Sequence, residues 1–176
     1  MTTLTAPTPT RTSSPALDFD ALYRAARDDV YAYVATLLRD RGAAEDVTAA
    51  AFERAYRKQR TYKSSRGSER AWLFGIARNA ALDELRRRKR AAALAAEPAD
   101  VDAAPPEDAA ETAVRRAAVH VALARIDARE RELIALKFHA GLDNSEIAAV
   151  LGVSVSNAGT QLHRAMTKLR EAVEHA

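Results

Sequence analysis

Six side chains near the end of the chain have the chemistry to recognise a nucleic acid. Ser156, Asn157, Thr160, Gln161, Arg164 and Lys168 share the exposed face of one predicted helix, and no carboxylate stands among them. Hydroxyl, amide and cationic groups of this kind hydrogen-bond phosphates and base edges. The residues just upstream would position them. Asp143 and Glu146 have the spacing of a capping box, in which each side chain satisfies a backbone N–H that the new helix leaves unpaired. Ile147, Ala148 and Leu151 form an apolar face, and Gly152 can take the left-handed conformation that ends a helix. Ser154 then caps a second helix whose apolar positions, Val155, Ala158, Leu162, Met166, Leu169 and Val173, recur at three- and four-residue steps. Two helices joined by a short turn containing Gly make a helix-turn-helix, with the second helix free to enter a major groove.

A second set of groups lies a hundred residues earlier and has a different character. Tyr62, Lys63 and Arg66 fall in a basic, hydroxyl-rich loop, and the helix after it carries Arg78, Asn79, Asp83, Arg86, Arg87 and Arg88. An aromatic for stacking beside charge along a strand path suits single-stranded or melting DNA. A solvated basic helix end that complements its own dipole would leave the same pattern. A second DNA-type surface tethered to the first favours the functional reading, because joined modules raise effective concentration.

Catalytic chemistry finds no support. His120, His139, His163 and His175 lack ligand-type spacing, and the chain has no cysteine, so no disulfide, cysteine-based zinc site or thiol sensor is available. No Gly-rich phosphate loop is present. We expect no enzyme activity, no metal and no cofactor. Apolar runs are too short for a membrane span and the N-terminus lacks a hydrophobic signal region, which points to a cytoplasmic protein. A net charge of +3 says little by itself. Its distribution says more, because Arg86 to Arg90 is a basic block while Glu97 to Glu111 holds acids and no bases.

The elements that carry these groups are expected to be all helical, since the chain is rich in alanine and only 6% aromatic. Residues 1–17, rich in Thr, Pro and Ser, read as a disordered tail. Residues 18–92 read as a first helical domain. A helix from Asp18 buries Leu22, Ala26, Val30, Tyr33, Val34 and Leu37 and closes at Asp40-Arg41-Gly42. A second helix, from about Ala43 to Lys58, buries Val47, Ala51 and Ala55 with Phe52 alongside, and a third, capped by Ser68, runs through Trp72, Ile76, Ala80 and Leu85. Residues 93–111 read as a flexible Ala/Pro/acidic linker, broken by Pro98, Pro105 and Pro106. Residues 112–176 read as a second domain. Its fourth helix is marked by Val114, Ala118 and Val121, and its fifth is opened by an Asp127/Glu130 capping box and buries Leu133, Ile134, Leu136 and Phe138. The helix-turn-helix follows.

Taken in order, these segments resemble an RNA polymerase sigma factor of the extracytoplasmic-function type. Ala44-Glu45-Asp46-Val47 through Phe52-Glu53-Arg54-Ala55-Tyr56 resembles the family's core-polymerase-binding helix. Arg70 through Arg87 resembles the helix that reads and melts the −10 promoter element, and Ile126–Glu132 with Gly141–Arg170 resembles the domain that reads the −35 element. The resemblance implies a promoter-specificity subunit with core RNA polymerase (β′ clamp helices and β flap), promoter DNA and an anti-sigma factor as partners, no membrane, and a monomer when free. It assigns Asp46, Phe52 and Arg54 to the polymerase, with Phe52 alternatively a core residue. Tyr62, Lys63 and Arg66 would capture a flipped base, and Asn79, Asp83, Arg86 and Arg87 would line the −10 contact helix. Ser156, Asn157, Thr160, Gln161, Arg164 and Lys168 would face the −35 element. Trp72 reads as core before DNA wedge. The chain departs from the family's usual residues at Ala49, Ala50, Gly75, Gly159 and Gln161. Two other readings use the same surfaces: a stand-alone helix-turn-helix regulator, and a sigma-like decoy that binds polymerase or an anti-sigma factor without initiating.

Overall fold

In the computed structural model, which describes residues 17–95, 119 and 121–174, six bounded α-helices, a further helical stretch over 121–125 and two short 3-10 turns account for nearly all of the described backbone. The Asp18 carboxylate accepts from the Ala21 N–H and opens α1, Phe19–Leu38. Its buried stripe is Leu22, Ala26, Val30, Tyr33 and Val34 as expected, but Leu38 rather than Leu37 completes it. The turn that ends α1 differs from expectation. Arg39 ends the helix in the left-handed conformation (φ 54°, ψ 32°), and Asp40, expected to close α1 with Arg41 and Gly42, caps the next helix instead by accepting from the Ala43 N–H. Helix α2 therefore starts at Arg41 and runs to Lys58, with Gly42 inside it. A capping carboxylate at Asp40 outweighs a helix-interior glycine nearby, because the cap satisfies a backbone donor that nothing else would reach.

After 3-10 turns at Gln59–Thr61 and Ser64–Arg66, α3 spans Glu69–Ala95, so the helix enters the stretch expected to be linker. The tail before Leu17, most of the linker, Val114 and Ala118 lie outside the described residues; 121–125 are helical, as expected for Val121. Then come α4, Ala128–Phe138, α5, Asn144–Leu151, and α6, Val155–Glu174. The α4 cap is half of the expected box. Asp127 accepts from the Arg129 and Glu130 N–H groups, while Glu130 turns away to Lys168. Phe138, expected in the core, is 61% exposed at the end of α4.

Helices α1, α2 and α3 pack against one another, and α4, α5 and α6 do the same. The two sets are not separate bodies. Helix α4 also packs on α1 and α5 on α3, and Leu133, Leu136, Leu142 and Ile147 share one continuous apolar core with Tyr33, Leu73 and Phe74. Burying Leu- and Phe-sized side chains contributes about 1.5–3 kcal/mol each, so this seam stabilises the closed arrangement. A second small cluster, Ile126, Ile134 and Ala165, closes the far side of the second set.

Gly75 sits inside α3, and a Cβ added there would meet nothing within 4 Å. Its flexibility costs helix stability without relieving any crowding. Gly75→Ala should therefore raise stability by about 0.5–1 kcal/mol, read as a higher thermal midpoint with unchanged helical signal.

Candidate nucleic-acid interface

The helix-turn-helix is built from local hydrogen bonds. Asp143 Oδ1 accepts from the Ser145 N–H at 2.8 Å and the Glu146 N–H at 2.9 Å, and Glu146 Oε2 accepts from the Asp143 N–H at 3.0 Å, completing the expected capping box. These donors hold the Asp143 carboxyl below the usual carboxylate range, the Glu146 N–H contributing most. Gly152 adopts φ 68° and ψ 37°, and Ser154 Oγ accepts from the Asn157 N–H at 3.2 Å to start α6. Ile147 and Ala148 meet Ala158 and Leu162 in the core. Leu151, Met166 and Leu169 are half-buried, whereas Val155 and Val173, expected on the apolar face, are exposed at the first and next-to-last positions of α6.

With that face turned inward, Ser156, Asn157, Thr160 and Arg164 are exposed. Half-buried Gln161 donates from Nε2 to Asn157 Oδ1 at 2.6 Å, so two groups able to read bases are held by each other. Lys168 is exposed but already paired, its Nζ donating to the Glu130 carboxylate, which raises its pKa. Gly159 occupies a close approach: a Cβ there would stand 3.4 Å from Asn144 Nδ2.

On the first helix set, Tyr62 is tied down. Its hydroxyl donates to the Gly67 carbonyl at 3.1 Å and its ring tilts against half-buried Trp72 with centroids 5.6 Å apart. Lys63 and Arg66 are exposed beside it. Asn79, Asp83, Arg86 and Arg87 form an exposed row on α3. Asp83 accepts from Arg86 at 3.2 Å and pairs with half-buried Arg54 at 3.7 Å, linking the row to α2. Arg87 grips Glu84 with two hydrogen bonds at 2.7 and 2.8 Å, and Arg88 bridges Glu84 to Asp40 at 2.8 Å each. Much of the basic block is thus internally paired.

Asp46 is exposed on α2, available to a partner. Phe52 is not. It is 6% exposed, edge-on to Tyr23 at 4.8 Å and Phe19 at 6.5 Å, which supports its alternative reading as a core residue.

The sequence reading missed a polar seam between the two helix sets. Glu132, 8% exposed on α4, accepts from Arg78 Nε at 2.6 Å and Nη2 at 3.4 Å, and from the Tyr33 hydroxyl at 3.3 Å. Burial, first, and then the Glu132 charge push the Tyr33 hydroxyl pKa well up. Arg70 bonds Asp29 and the carbonyls of His139 and Ala140, Ser68 bonds Glu146, and Thr36 Oγ1 lies 3.3 Å from His139 Nε2. Burial lowers the His139 pKa. The one signal available in sequence was a carboxylate beside the apolar run of α4.

A helix-turn-helix with an open recognition face, joined to a helical module that presents an aromatic, basic loop and helix, defines a two-module DNA-binding protein. Comparison with known proteins agrees in detail. Family models for sigma-70 region 2 and sigma-70 region 4 match residues 22–91 and 116–169. The ECF RNA polymerase sigma factor SigL of Mycobacterium tuberculosis is 30% identical over 91% of this chain and 93% of its own length. BldN of Streptomyces coelicolor, also an ECF sigma factor, is 31% identical over 86% of this chain, which spans 58% of that relative. Among solved structures, the sigma factor RpoE bound to the anti-sigma factor NepR from Bartonella quintana shares the fold, with a TM-score of 0.76, 22% identity and coverage of 89% and 97% of the two chains. CnrH, solved with the cytosolic domain of CnrY, gives a TM-score of 0.64 at 26% identity, covering 89% and 88%. The chain belongs to the ECF sigma factors of the sigma-70 family, and is a promoter-recognising sigma subunit.

The Glu84 site yields a pH prediction. Hydrogen bonds from Arg87, above all, lower the Glu84 pKa from the usual 4.5 to about 2. A depressed folded-state value contributes stability that is present above the unfolded pKa and lost as pH falls toward the folded one. Stability should therefore decline between about pH 4.5 and pH 2, and Glu84→Gln should flatten that part of a denaturation-versus-pH series.

Proposed function

We propose that the chain is a dissociable, non-catalytic initiation subunit of cytoplasmic RNA polymerase, monomeric when free, and that its two DNA-type surfaces divide the promoter between them. Residues 18–92 form the module that binds core polymerase and the −10 element, 93–111 connect, and 112–176 form the −35 module. Asp46 and Arg54 face the β′ clamp helices, and the second module meets the β flap. Tyr62, Lys63 and Arg66 cradle an unstacked base, with Asn79, Asp83, Arg86 and Arg87 along the strand. Ser156, Asn157, Thr160, Gln161 and Arg164 read the −35 element, with Lys168 on the phosphate flank once Glu130 releases it. The observation that carries this is the coexistence of a capped, exposed recognition helix with a separate exposed aromatic–basic surface on one chain. Two structural relatives were solved with protein partners, one described as an anti-sigma factor. That supports an anti-sigma factor as a partner here also.

Purified protein added to core polymerase should give specific transcripts from its cognate promoter; failure to bind core and to transcribe would overturn the reading. Arg164→Ala should cost roughly 1–3 kcal/mol of discrimination at the −35 element while leaving core binding intact. Competition binding with wild-type and scrambled −35 duplexes measures it.

A further inference from the structure

We infer that Glu132 acts as an internal stand-in for DNA phosphate: it holds Arg78 of the −10 helix and latches the chain in a closed, off-promoter state. The closure follows from the seam itself, whereas a DNA role for Arg78 rests on the function proposed above. Elements about 25 base pairs apart lie roughly 85 Å apart along B-DNA, at about 34 Å per ten pairs. A packed body of this chain length is about 40 Å across. The closed arrangement, in which α4 packs on α1 and α5 on α3, therefore cannot reach both promoter elements at once. Promoter binding requires the seam to open.

The seam is built to open at a cost. Its apolar part is incomplete, with a cavity of about 430 Å³ bordered by Leu37, Leu82 and Leu85 on one side and Arg131, Glu132 and Leu151 on the other. Its polar part centres on Glu132, which lies among Arg78, Tyr33 and Arg131. Arg78 adjoins exposed Asn79 and stands about 80° round the helix from Arg86 at about 100° per residue, on the flank of the DNA-facing row. Guanidinium binds carboxylate and phosphate through the same two-pronged geometry. Opening exchanges Glu132 for solvent and frees Arg78 for a phosphate. Removing the Glu132 charge penalises only the closed state, because an unpaired Arg78 is half-buried there and fully hydrated when open.

The chain has no cysteine, so donor and acceptor dyes on Glu45→Cys and Arg170→Cys report closure of the full chain by energy transfer. Glu132→Gln should shift the closed-to-open ratio by at least about tenfold toward open. Adding Arg78→Gln to Glu132→Gln removes the stranded charge and should restore most of the closure, which a merely misfolded single variant would not do. Wild-type transfer in Glu132→Gln, or no recovery in the double variant, sinks the latch. With a 20-nucleotide mixed-sequence single strand as probe, Glu132→Gln should bind several-fold tighter, and its salt slope should be steeper by about one ion than that of the double variant. Opening with no such gain overturns the phosphate role of Arg78. Transcription with core polymerase tests the sigma reading separately.

Discussion

A carboxylate buried between two helical modules loses its hydration, and only close, well-aligned donors offset that loss. Glu132 has them: Arg78 from α3 and the Tyr33 hydroxyl from α1. The placement of the rest follows from this contact. It sets α4 against α1, and the loop after α4 then delivers the His139 and Ala140 carbonyls to Arg70 and the Asp143 cap to the edge of α3. The recognition helix is held by that scaffold with its polar face outward. Closure at the seam leaves both rows of exposed polar residues open to solvent, so what it withholds is reach and the Arg78 guanidinium.

Helix α3 has to serve three neighbours at once. Leu73, Phe74, Ala77 and Ala81 fill the core, Asn79, Asp83, Arg86 and Arg87 face solvent, and Arg70 and Arg78 turn to the second helix set. Such a helix has no clean apolar stripe, and its basic end is moderated by Glu84 and Asp40. These acids lock the arginines into fixed directions at the expense of net positive field. Under the proposed function, a strand passing this face would meet guanidinium groups already paired to acids.

What was legible in the sequence was local. The capping box at Asp143, the left-handed Gly152 and the Ser154 cap each depend on residues within four positions, and all three stand as read. The periodic stripe of α1 was legible for the same reason. Errors arose where a neighbour distant in sequence decided the outcome. Periodicity placed Phe138 on an apolar face, but it is 61% exposed; of the two readings left open for Phe52, enclosure by Phe19 and Tyr23 from α1 favours the core one. Glu130 had the spacing for a reciprocal cap and chose Lys168 on α6 instead. Tyr33 and Glu132 lie 99 residues apart, and no spacing rule connects them. The two-module organisation was readable; the seam between the modules was not.

The two DNA-type surfaces differ in how much they must change to work. On α6, Asn157 and Gln161 hold one another and the backbone behind them is capped at its start, so these two side chains have little rotamer freedom to lose on binding. That suits duplex readout, where base edges already stand in fixed positions. Around Tyr62 the situation is reversed. One side of its ring meets Trp72 and its hydroxyl is held by Gly67, so an incoming base either stacks on the remaining side or displaces the tryptophan. Base–aromatic stacking contributes about 1–3 kcal/mol per base, enough to compete with one half-buried aromatic contact but not with a paired and stacked duplex. Under the proposed function, the loop would retain a base that has already left the helix, and melting itself would draw on the binding of the remaining surfaces.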